Sequence, residues 1–83
     1  MFKIVVTSQY GTLSRERHSA RKGAGSYAQW AKKDERGNLI INEEGSWMLH
    51  CTDGFNRVAR ATLKVQKNGD WTMTGDTKRF DVI

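Results

Sequence analysis

The sequence predicts a β-rich α+β fold: a twisted antiparallel sheet of five to six strands, with one short helix over residues 27–35 packed on its apolar face. Three observations carry that expectation. The second half of the chain alternates apolar and polar residues with a period of two, over 46–52, 57–66 and 70–74. Asn68-Gly69 and further Gly/Asn/Asp clusters punctuate those runs at hairpin spacing, in a chain without proline. Tyr27, Trp30 and Ala31 fall at helical spacing between Ser26, a good N-cap, and Gly37, a good terminator.

Taken in order, Phe2 to Thr7 reads as a first strand. Apolar residues stand on both of its faces, the pattern of a central, well-covered strand. Residues 8–25 carry no periodicity that could face a core and read as a long basic loop, with a short polar helix over 13–21 as the alternative. Residues 26–37 can be read two ways. One is the helix; the other is a strand, with Ala28 and Trp30 on one face and a hairpin loop from Asp34 to Asn38. The helical spacing and the charges near its end favour the helix.

From Asn38 the pattern is a meander. Leu39-Ile40-Ile41 leads to a turn at Asn42-Glu43-Glu44-Gly45. In the next run Trp47, Leu49 and Cys51 oppose Met48, His50 and Thr52. A turn at 53–56 follows, then Ala59, Ala61, Leu63 and Val65 inward against Val58, Arg60, Thr62, Lys64 and Gln66. Asn68-Gly69 predicts a two-residue type I′ turn. Trp71 and Met73 then share a core face with Trp47 and Leu49, and Lys78 to Ile83 form a last strand.

Eighty-three residues make one domain, 1–83, that buries only about 60–65% of its unfolded surface. With a single cysteine no intramolecular disulfide can form, and the apolar run at the N-terminus is short for a signal peptide or a membrane span. A cytoplasmic protein with no membrane partner is the expectation. The net charge of +5 is unevenly placed. The first 37 residues hold eight Lys or Arg against three acids, whereas the remainder holds six of each. Such asymmetry marks a surface that faces a polyanion, although a solvated face looks similar.

No catalytic set is present, and the expectation is a binding protein, not an enzyme, without cofactor, metal or small-molecule substrate. One cysteine and two scattered histidines do not make a zinc site. His50 and Cys51 are neighbours in a strand and point to opposite faces, so they are no dyad. Cys51 reads as a small core residue. Arg21-Lys22-Gly23-Ala24-Gly25-Ser26 would make an anion site if a helix began at Tyr27, and a flexible connection otherwise.

The leading expectation is nucleic-acid binding through phosphate contacts from Arg15, Arg17, Arg21 and Lys22, with Lys32 and Lys33 adding to the field. Tyr10, Tyr27 and Trp30 flank the run and could stack on unpaired bases, against the plainer reading of Tyr27 and Trp30 as core. Arg60, Lys64, His50 and the threonines of the outer sheet face are a weaker signal of the same kind. The small, proline-free, basic character is also shared by many phage and plasmid accessory proteins. The second expectation is therefore an inhibitor or regulator that binds an acidic or nucleic-acid-binding surface on a host protein, such as nucleic-acid-processing or defence machinery. A self-assembling structural protein is the third.

Overall fold

A computed structural model describes residues 2–8, 18–53 and 57–83. They form nine strands: β1 (Ile4–Ser8), β2 (His18–Lys22), β3 (Gln29–Trp30), β4 (Lys32–Lys33), β5 (Leu39–Ile41), β6 (Gly45–Thr52), β7 (Val58–Val65), β8 (Trp71–Gly75) and β9 (Phe80–Val82). All pairings are antiparallel. The strands build two sheets, in the orders β4-β5-β1-β9 and β3-β2-β6-β7-β8. The expected single sheet is thus two, and β1 is central in the smaller one, between β5 and β9.

Alternation places the core between the sheets. Ile4, Val6, Leu39, Ile41 and Phe80 from the four-stranded sheet meet Ala20, Trp47, Leu49, Cys51, Ala59, Ala61, Leu63 and Val65 from the five-stranded one in a single buried cluster. Cys51 is a fully buried member of it, as its place in the strand predicts. Trp47 is buried too, and its indole N–H donates to the Glu43 carbonyl at 3.0 Å. Trp71, expected in the core, is 43% exposed because β8 is an edge strand with nothing beyond it to cover the ring.

The helix expected over 27–35 does not form. Gly25–Tyr27 make one 3₁₀ turn, and from Ala28 the backbone is extended. Trp30 then pairs with Arg21, and Lys32 and Lys33 pair with Ile40 and Leu39. Between them the Ala31 N–H donates to the Ala20 carbonyl at 2.9 Å. This stretch therefore satisfies an exposed edge of each sheet and carries the chain from one to the other at Ala31. Long-range pairing along two edges outweighs the local helical spacing. Among the described residues the only helical pieces are 3₁₀ turns, the second at Thr77–Arg79.

β2 occupies part of the segment read as a basic loop. Its inward positions are His18 and Ala20, paired with Cys51 and Leu49. Neither is a large aliphatic residue, so no hydrophobic period marks the strand. His18 is buried; its Nε2 lies 2.6 Å from the Gly37 carbonyl and its Nδ1 is hydrogen-bonded to the Ser8 hydroxyl. A carbonyl only accepts, so Nε2 is the donor to Gly37. The His18 ring thereby ties β2 to β1 and to the β4–β5 hairpin.

The β7–β8 connection falls where Asn68-Gly69 predicts it, with a different geometry. Gln66 N–H donates to Asp70 at 2.7 Å and Gly69 N–H to Gln66 at 2.9 Å, while only Gly69 of the loop has positive φ. A type I′ turn needs positive φ at both central residues; this is a three-residue loop, a type I turn closed by a glycine bulge. Asp34 to Asn38 closes the β4–β5 hairpin in the same way. The turn expected at 53–56 lies largely outside the described residues, although Asp53 is buried and accepts from the Arg57 Nε at 2.6 Å. No helix among the described residues is long and apolar enough to cross a membrane.

Candidate functional site

The pairing register of the five-stranded sheet sorts its side chains into two faces. On the face away from the core one row runs across all five strands: Trp30, Arg21, Met48, Thr62 and Thr74, each directly opposite the next. Adjacent strands are about 4.8 Å apart, so the row is roughly 19 Å long. A second row holds Ser19, His50 and Arg60, and a third Ser46, Lys64 and Thr72. The remaining outward positions of β6 and β7 are Thr52 and Val58. None of these residues is Asp or Glu. Among the described residues the strands of this face form a platform bearing Arg21, Arg60 and Lys64 and no carboxylate, and just past β8 the Asp76 carboxylate accepts from the Arg60 backbone N–H at 3.1 Å.

No carboxylate among the described residues holds those three cations. Arg21 rests its Nη2 on the Met48 sulfur at 3.4 Å. Arg21, Trp30, Met48, His50 and Arg60 together line a cleft of about 360 Å3. Trp30 is 62% exposed, an unusual amount of aromatic surface to leave in water. It stands at the corner where the chain leaves the five-stranded sheet. Trp30 also lines a second cleft, of about 500 Å3, with Gln29, Lys32, Ile40, Asn42 and Glu43.

The residues singled out from the sequence scatter. Arg15 and Arg17, like Tyr10, lie outside the described residues. Arg21 joins the platform. Lys22, its neighbour, points the other way: its Nζ donates to the Glu43 carboxylate at 3.0 Å and the Glu44 carbonyl at 3.1 Å, and lies 5.6 Å from the centre of the Trp47 ring. Lys32 borders the second cleft, and Lys33 sits in a separate depression with Asp34 and Glu35. Tyr27, at the tip of the 3₁₀ turn, is 89% exposed. Neither Tyr27 nor Trp30 is core. The anion site imagined before a helix at Tyr27 loses its basis, since no helix follows.

The sequence pointed weakly to Arg60, Lys64 and His50, placed Met48 beside His50, and missed that Arg21 and Trp30 share their face. The missing step was β2. Once 18–22 is a strand paired with β6, Arg21 must lie beside Met48. No known protein family describes this chain, and no characterised protein or solved structure is significantly similar to it.

Proposed function

We propose that this protein binds nucleic acid on the outer face of its five-stranded sheet. The observation that carries the reading is the platform itself: Arg21, Arg60 and Lys64, whose side chains no carboxylate among the described residues holds, on a sheet face bordered by an exposed Trp30. Arginine forks match phosphate oxygens, and Ser and Thr hydroxyls such as Ser46, Thr62 and Thr74 suit phosphate and sugar oxygens. Three phosphate contacts to a single strand give a slope of about −2 in log affinity against log salt, steeper if Arg15 and Arg17 also reach the backbone. Fluorescence anisotropy with random-sequence oligonucleotides at rising salt tests this. Affinity falling on the order of tenfold between about 50 and about 200 mM salt supports it; no binding at the lowest salt overturns it.

A second reading, an inhibitor or regulator of another protein, is favoured by β8. This edge strand reads Trp71-Thr72-Met73-Thr74-Gly75, with neither charge nor proline to discourage strand addition. Thr72 and Thr74 sit in hydrogen-bonded pairs with β7, in phase with the Gln66–Asp70 bond, so Trp71 and Met73 turn their backbone groups outward. A Met73→Pro variant removes an outward N–H and leaves the β7 ladder intact. Under this reading it loses a stoichiometric protein partner that the parent chain retains after nuclease treatment; retention by both contradicts it.

A further inference from the structure

The two clefts flanking Trp30 define the form of nucleic acid that fits, an inference that rests on the nucleic-acid reading above. We infer that the ligand is an unpaired strand crossing β3, with the Trp30 indole inserted between two successive bases. Trp30 lines both clefts, at about 360 and 500 Å3, each within the range of about 300–1,000 Å3 usual for small-molecule sites. Each cleft also offers groups that hydrogen-bond base edges: Ser19 and His50 on the sheet side, Gln29 and Asn42 on the other.

Cations accompany both clefts, Arg21 and Arg60 at one and Lys32 at the other, so a backbone joining the two bases stays near positive charge. Glu43 is the one carboxylate in either lining, and its charge is met by Lys22 at 3.0 Å. A base can stack on either side of an aromatic ring only if its own face is free. In a duplex both faces of an interior base are already covered, and freeing them costs a few kcal/mol per step. A single strand has no pairing to break and a weaker stack to open, so its cost is smaller, and stacking on an aromatic side chain tolerates any base sequence.

The test uses the full chain with three probes: a twelve-nucleotide deoxythymidine oligomer, the matching uridine oligomer, and a blunt twelve-base-pair DNA duplex. The inference expects either single strand to bind at least tenfold more tightly than the duplex; the stronger of the two then identifies the sugar. It further expects tryptophan emission to fall on binding and Trp30→Phe to abolish most of that change. Trp30→Ala weakens single-strand binding by roughly 30-fold or more, since each of the two bases loses a stack, whereas Trp30→Phe keeps most of the affinity. Trp30 is exposed, so both variants retain the fold, checked by circular dichroism. Equal binding of duplex and single strand, with Trp30→Ala unchanged, overturns this inference and leaves the broader reading standing. No binding to any probe at low salt overturns both.

Discussion

Arg21 and Trp30 are direct cross-strand partners on the outer face of the five-stranded sheet, a cation and an exposed indole side by side. Pairs of this kind stabilise sheets modestly, by about 0.2–1 kcal/mol. Burying that indole against β2 would serve stability better, so its exposure suits contact with a ligand.

Neighbouring cations on opposite faces of β2 must behave differently. Arg21→Gln weakens oligonucleotide binding and leaves stability within about 0.5 kcal/mol of the parent. Lys22→Gln removes an exposed ion pair and a cation–π contact and costs about 1 kcal/mol or less in urea unfolding, and it affects binding less than Arg21→Gln does, only through the Glu43 charge it leaves unmet. Equal loss of binding in both variants contradicts the assignment of faces.

The β4–β5 hairpin makes stability sensitive to acid. The Asn38 and Arg36 N–H groups donate to Asp34 Oδ1 at 2.9 and 2.8 Å, and with the nearby Lys3 and Arg36 charges they hold its carboxyl below the ordinary value of 3.8. The unfolded chain therefore takes up this proton first as pH falls. The contribution is complete above about pH 4 and is lost as pH drops through the lowered folded value. Denaturation midpoints of Asp34→Asn, whose amide oxygen still accepts both bonds, should decline less below about pH 4 than those of the parent. Identical acid limbs contradict this role.

His18→Leu should destabilise the protein by about 1–3 kcal/mol even though it makes the interior more apolar. The substitution leaves the part-buried Gly37 carbonyl without the donor that now lies 2.6 Å away. Urea unfolding measures it. A neutral or stabilising result contradicts a structural role for the ring.

Gly75 has φ +94, and a Cβ there would stand 2.8 Å from the Arg60 carbonyl oxygen. Backbone strain and that contact together make Gly75→Ala cost about 2 kcal/mol or more. Thr74→Ala, one residue earlier on the exposed face, should stay within about 0.5 kcal/mol. Similar thermal midpoints for the two contradict the close approach of β7 and β8.

Where large apolar side chains alternate with polar ones, as in β6 and β7, the strands and their faces were legible from sequence. β2 was not, because hydrogen bonds to Ser8 and Gly37 let a histidine take an inward position and Ala20 is small. β3 and β4 were hidden for another reason: Tyr27, Trp30 and Ala31 share a helical spacing by coincidence, and only pairing with distant strands decides their conformation. Alternation also cannot say which sheet a strand joins, so two sheets read as one. The candidate site suffered most. Its outer face depends on register between β2, β3 and β6, and register is a tertiary fact.

The most direct measurement is the salt dependence of single-strand binding by the double variant Arg21→Gln/Arg60→Gln against the parent chain. Loss of two phosphate contacts should flatten the slope of log affinity against log salt by about 1.4. An unchanged slope would mean that the anion is met elsewhere, and the platform would have no part in binding.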